Sequence, residues 1–196
     1  MILTKKLRPV ERIVQERLAS DLGISRTPLR SALQMLEGEY LVSAIPRKGV
    51  YVRAFTDKEI VDVYDCRIAL ECMAIQLLGQ HTSREVIEQL KGCFARFENQ
   101  LNINAVDYQK ADTIFHDLLI EASANHFLCQ MFRKSNLLSC IDRIGLIRPP
   151  NETLPEHLEI IHAIEIGQVQ DARSLLREHL RKSRDIISSR NADGLN

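Results

Sequence analysis

The chain has 196 residues, 45% of them hydrophobic and 27% charged, with a formal net charge of zero. These proportions belong to a soluble globular protein of one medium domain, or a small domain plus a larger one. No apolar run reaches membrane-spanning length and no signal-peptide pattern opens the chain, so no membrane partner is expected.

The neutral total hides a split. Residues 1–53 carry ten Lys/Arg against five Asp/Glu, and residues 54–196 carry sixteen against twenty-one. A basic small part joined to an acidic larger one suits phosphate contact at one end only. The five cysteines, Cys66, Cys72, Cys93, Cys129 and Cys140, form no Cys-x-x-Cys pair. They suit a reducing cytoplasm and read as core residues or spectators.

Residues 15–34 predict two short helices joined by a tight turn, the layout of a DNA-reading helix-turn-helix. Ala19 is small where the helices would approach. Gly23 can take the left-handed turn conformation, Ser25 suits an N-cap, and Pro28 falls in the second helix's first turn. Arg26, Thr27 and Arg30 then stand at the end that reaches base edges in a major groove. The plainer alternative is a helical hairpin with a solvated basic face.

Residues 42–52 hold two short β-type runs around Pro46, Arg47, Lys48 and Gly49. They predict the hairpin wing of a winged helix, with Lys48 and Gly49 at its tip, or a hairpin that merely closes a small core. From Phe55 onward the pattern is helical. Thr56 and Glu59 form a capping box for a helix to about Gly79. Further helices are expected from Ser83 to about Asn102, from Asn104 or Asp107 to about Ala124, and from Asn125 to before Pro149. The last two run from after Thr153 to Gly167, with Pro155 in the first turn, and from Val169 to Arg190. The reading is mainly α: a winged helix-turn-helix over residues 1–54, a six-helix bundle over 55–190, and a frayed tail over 191–196.

Asp112 and His116 lie four apart and share a helix face. With His157 and His179 they make a set of one carboxylate and three imidazoles, suited to zinc, nickel or manganese with positions left open. A lone helical histidine is more often a surface or hydrogen-bonded residue. His81, His126 and His162 read as non-ligands. Arg67 and Glu71 are also four apart, either as a surface ion pair or with Arg67 turned inward to grip a carboxylate ligand.

At these residues the chain resembles the GntR family of bacterial transcription regulators, the FadR-like group with an FCD effector domain. The shared phrases are residues 16–19, 22–30 and 47–52, Tyr64 to Arg67 with Leu70 and Glu71, Asp112 to His116 with Asn125, Glu156 and His157, and His179 and Leu180. The resemblance implies a regulator, repressor or activator, rather than an enzyme. It implies a homodimer on a pseudo-palindromic double-stranded operator. It also implies a divalent metal on Asp112, His116, His157 and His179, completed by a small carboxylate effector near Arg67 and Asn125.

Six helices after the wing suggest the VanR-like subgroup. Such regulators carry a helix of about twenty residues before Leu7, where only residues 1–6 stand. The winged helix-turn-helix is therefore expected to lack its first helix and to leave Ile13, Leu18 and Leu22 less covered. Two rival readings follow from these features: a ligand sensor with weakened DNA binding, and a metal-dependent enzyme that activates water.

Overall fold

The computed structural model describes residues 7–79, 81–135 and 137–193. Strand β1 (Arg12–Ile13) leads into α1 (Gln15–Leu22) and α2 (Arg26–Gly38), followed by β2 (Val42–Ile45) and β3 (Gly49–Val52). Gly23 takes φ 65° at the end of α1, the left-handed conformation its position requires. Ser25 occupies the N-cap of α2 in extended backbone, but its hydroxyl makes no capping bond. Strands β2 and β3 pair antiparallel from Val42↔Val52 to Ile45↔Gly49.

Strand β1, too short for a sequence pattern to announce, adds to the other edge in the order β1-β3-β2, with Arg12 opposite Tyr51. Ile13, Ala19, Leu29, Leu33, Val42 and Val52 close one small core. Ile13 does not lose its cover, because β1 pairing turns it inward; Leu22 is half exposed.

The second part is a helical bundle. Helix α3 (Asp57–Leu78) starts at the expected capping box, with the Thr56 side chain accepting from Glu59 N–H. It runs along α9 (Val169–Asp193) and packs on α5 (Ala105–Ala122), while α8 (Pro150–Glu165) also lies against α9. Phe94 at the end of α4 (Arg84–Phe94), Tyr108 and Phe115 are fully buried between these helices. They surround the His157 ring, with Phe94 stacked at 4.5 Å and Phe115 edge-on at 4.9 Å between centroids.

Several boundaries differ from expectation. The span read as one fourth helix is two, α6 (His126–Lys134) and α7 (Leu137–Ile144). Ser135 is the C-cap of the first, with its N–H and its hydroxyl both donating to the Met131 carbonyl. The described residues therefore form seven α-helices after the wing, and the six-helix basis for the VanR-like subgroup falls away.

Helix α4 stops at Phe94 and passes into a single 3-10 turn, Ala95–Phe97, which sets Phe97 edge-on to Tyr108. Helix α8 begins at Pro150, where a missing N–H costs nothing, so Pro155 lies inside the helix rather than in its first turn. Helix α9 continues through Arg190 to Asp193; residues 194–196 of the expected frayed tail lie outside the described residues, as do residues 1–6. Among the described residues no helix is long and apolar enough to cross a membrane.

Candidate functional site

Two surfaces gather the residues singled out from the sequence. In the bundle, α5 supplies Asp112 and His116, α8 supplies His157 and α9 supplies His179. One donor atom from each lies within 4.8 Å of the others. Ligands about 2.1 Å from a common ion sit roughly 3–4 Å apart, so the set is near closure without backbone movement. The three imidazoles are buried and Asp112 is nearly so. His157 Nε2 stands 3.3 Å from Asp112 Oδ1, close enough for attraction but off the line of a hydrogen bond, and His116 Nε2 stands 3.8 Å from the same oxygen.

What aims these rings is the partner on each Nδ1. His116 Nδ1 meets Glu71 Oε2 at 2.5 Å, His179 Nδ1 meets Glu156 Oε2 at 2.8 Å, and His157 Nδ1 meets the Tyr108 hydroxyl at 2.9 Å. Glu71 and Glu156 are both held below the usual carboxylate range. Burial works to raise each, and it is outweighed by Arg67 and His116 at Glu71, and by His179, Arg148 and Lys182 at Glu156. An ionised carboxylate only accepts, so the proton of His116 and of His179 lies on Nδ1.

For His157 the Tyr108 hydroxyl also bonds Thr153 Oγ1 at 2.9 Å, and Thr153 reaches the Pro149 carbonyl at 3.4 Å. Thr153 Oγ1 donates to the Tyr108 hydroxyl, the shorter of its two contacts, which leaves the Tyr108 proton to point at His157 Nδ1. His116 and His179 thus turn an Nε2 lone pair inward, His157 Nε2 faces Asp112, and His116 Nε2 and His157 Nε2 have no hydrogen-bond partner among the described residues. Burial pushes all three imidazoles below their ordinary value, His179 to about 4, so they stand neutral near pH 7. Burial also works to raise Asp112, but the neighbouring histidines hold its carboxyl below the usual range. Neutral imidazoles and an ionised carboxylate are the protonation states metal coordination needs.

Arg67 and Glu71 are no surface pair. Both are buried on α3, joined from Arg67 Nε to Glu71 Oε1 at 2.7 Å, so Arg67 turns inward but grips Glu71. Its Nη2 is buried with no hydrogen-bond partner among the described residues. Asn125 is not brought to the cluster. It is exposed, and its carboxamide oxygen caps α6 by accepting from Leu128 N–H. His81, His126 and His162 are exposed and outside the cluster. Sequence reasoning missed Tyr108 and Thr153, and did not read Glu156 as a partner of His179. Tyr108 had a signal, since it lies four residues before Asp112 on the same helix face.

The second surface joins the start of α2 to the wing. Ser25, Arg26, Thr27, Arg30 and Lys48 are exposed, and Gly49 is half exposed. Gly49 adopts φ 109°, which an L side chain rarely tolerates. A cleft of about 370 Å³ is lined by Arg26, Arg30 and Gly49 together with Arg12 and Glu16. Arg26 pairs with Glu16 across it. Arg12 and Glu16 were not among the expected DNA-facing residues.

Comparison with known proteins identifies both parts of the chain. Residues 1–52 match the "Bacterial regulatory proteins, gntR family" domain, and residues 62–182 match the FCD domain. The chain is 30% identical over 189 residues to the uncharacterized HTH-type transcriptional regulator YdhC of Bacillus subtilis, covering 91% of this chain and 82% of that one. It is 24% identical over 196 residues to the HTH-type transcriptional repressor GlaR of Escherichia coli, covering 91% and 87%. Its fold matches a GntR transcriptional regulator from Rhodococcus sp. RHA1 with a TM-score of 0.73 at 21% identity, over 96% of this chain and 92% of that one. These relatives are transcriptional regulators and not enzymes. The chain therefore belongs to the GntR family of bacterial regulatory proteins, as a DNA-binding transcriptional regulator that carries an FCD domain.

Proposed function

We propose that Asp112, His116, His157 and His179 hold one divalent ion, zinc, nickel or manganese, and that a small carboxylate effector bound at that ion controls operator affinity. The observation that carries this reading is the convergence of one donor atom from each of the four residues within 4.8 Å, with His116 and His179 held at Nδ1 by ionised carboxylates. Four protein ligands leave open positions on nickel or manganese, which take six, and on zinc where it expands to five. The charge balance favours an anion there. Asp112 offsets half the charge of a divalent ion, and Glu71 is already matched by Arg67. Arg67 Nη2, buried with no hydrogen-bond partner among the described residues, supplies a further donor for a carboxylate.

In this reading residues 1–54 bind DNA and residues 55–190 sense the ligand, in the bacterial cytoplasm. Two chains form a homodimer on a pseudo-palindromic operator. Arg26, Thr27 and Arg30 face base edges in the major groove, with Ser25 beside them, while Lys48 and Gly49 meet the minor groove. The likeness to a repressor favours repression that the effector relieves. By linkage, effector and operator change each other's affinity by the same factor.

Elemental mass spectrometry of chelator-free protein, wild type beside His116→Ala, tests the metal. About one ion per chain, lost in the variant, supports the reading. Metal-free wild type after incubation with zinc, nickel or manganese refutes it.

A further inference from the structure

The cleft between the recognition helix and the wing holds a basic residue that neither the sequence reading nor the family match assigns. Arg12 sits on β1, fixed by pairing with Tyr51 of β3. Its neighbour Ile13 points into the small core, so Arg12 points out. Its guanidinium lies across the wing at Gly49. A Cβ built on that glycine would stand 3.3 Å from Arg12 Nε and 3.6 Å from Nη2. Gly49 therefore serves two purposes, a backbone angle of φ 109° and room for the Arg12 side chain.

The Arg12 side chain has no hydrogen-bond or ion-pair partner among the described residues, and neither has that of Arg30 on the opposite wall. Glu16, the one carboxylate lining the cleft, is taken by Arg26. Three guanidiniums thus face one space with a single counter-charge. A cationic cleft built from rigid elements and lacking an internal acceptor is arranged for an external anion.

We infer that this cleft takes a phosphodiester of the DNA backbone, with Arg12 as a strand-anchored phosphate clamp between the recognition helix and the wing. The inference rests on the reading that α2 enters a major groove and the wing the adjacent minor groove. A sugar-phosphate strand separates any two neighbouring grooves, so whatever lies between helix and wing faces phosphate rather than base edges. The planar guanidinium matches two phosphate oxygens, and its place on a paired strand fixes the docking register more firmly than a side chain at the wing tip would. Arg12 is therefore a positioning contact for affinity, and Arg30 a contact for sequence.

The test is binding of full-length, metal-replete protein to two labelled duplexes by fluorescence anisotropy over a salt series. One duplex is enriched from a randomised pool by the wild type; the other is of mixed sequence and equal length. Arg12→Ala is expected to weaken both by a similar factor, about 5- to 30-fold, and to flatten the slope of log affinity against log salt by about one per bound chain. Arg12→Lys is expected to keep the salt slope. Arg30→Ala is expected to weaken the enriched duplex far more than the mixed one.

If Arg12→Ala keeps wild-type affinity and slope while Arg30→Ala loses selectivity, the clamp is overturned and the DNA face stands. If Arg12→Ala loses selectivity at an unchanged slope, the contact is to bases and the phosphate assignment fails. If neither variant changes binding, the DNA face itself lies elsewhere and both fall. Circular dichroism and metal content of each variant separate these results from misfolding.

Discussion

Glu71 Oε2 meets His116 Nδ1 at 2.5 Å while Glu71 Oε1 holds Arg67 Nε at 2.7 Å, so one buried carboxylate both orients a candidate metal ligand and neutralises a buried cation. Glu71→Gln keeps the shape and removes the charge. His116 then loses its ionic acceptor and Arg67 is left buried without a counter-ion. Metal affinity is expected to fall roughly 10- to 100-fold, the usual cost of an outer-shell partner. The uncompensated Arg67 is expected to cost a few kcal/mol of stability. Competition against a graded chelator reads the first effect and urea unfolding the second. Wild-type metal affinity in a folded variant would sink the orienting role.

Tyr108→Phe is a gentler test of the same principle. The ring continues to fill the core beside Phe94, but His157 Nδ1 and Thr153 lose the hydroxyl that joins them. The expected loss is on the order of 1 kcal/mol in stability, with metal affinity reduced about tenfold. A variant that binds metal as the wild type does would show that the Phe94 and Phe115 rings alone aim His157.

The metal-free protein is expected to lose stability on acidification before its carboxylates titrate. Burial, with His157 nearby, lowers His179 in the folded state to about 4, whereas a free imidazole titrates near 6.5. The unfolded chain therefore binds this proton first. The contribution is complete above about pH 6.5 and is lost as pH falls toward 4, on the order of 3 kcal/mol in all. Asp112, Glu71 and Glu156, also lowered, add their losses in still more acid solution. Urea unfolding of chelator-treated protein at pH 7.5, 6 and 4.5 checks this. His179→Gln should flatten the decline, and an equally steep decline in that variant would place the titration elsewhere.

Arg30→Ala separates the two surfaces. Arg30 is exposed at the start of α2 and its side chain has no hydrogen-bond or ion-pair partner among the described residues, so its loss disturbs no packing. Operator binding is expected to vanish with metal content intact. Retained binding would remove Arg30 from the base-reading set.

How much of this was legible depended on whether a feature is local. The capping box at Thr56 and Glu59, the turn at Gly23 and the shared face of Asp112 and His116 are set by residues within four positions of each other, and the structure has all three. His157 and His179 join Asp112 only through the packing of α5, α8 and α9, so residue types alone suggest the set and family resemblance strengthens it. Arg12 escaped notice because a two-residue strand has no periodicity; its position depends on pairing with Tyr51, far along the chain. Asn125 was visible as a helix start and was also assigned to a pocket. The structure has the first of these, with the carboxamide oxygen capping α6. The break at Ser135 was hidden because the apolar spacing continues through it and no Gly or Pro marks the end of α6.

Any signal from the metal site must cross to the DNA-binding part, and Arg53 stands where the two meet. Its guanidinium lies 4.8 Å from the Tyr40 ring and 5.3 Å from the Phe55 ring, and it pairs with Glu59 at the start of α3. The contact links the end of the helix-turn-helix segment to the helix that carries Arg67 and Glu71. It also walls a cleft of about 700 Å³ that reaches Leu137 and Cys140 on α7. Arg53→Ala removes the cation–π contacts and the ion pair while leaving both cores intact. Metal content and metal-free DNA affinity are expected to stay within about twofold of wild type. The ratio of DNA affinities with and without metal is expected to move toward one, because that ratio is the coupling between the two sites. The measurement is a pair of anisotropy titrations on the enriched duplex, metal-loaded and chelated. An unchanged ratio would show that the coupling runs through another contact.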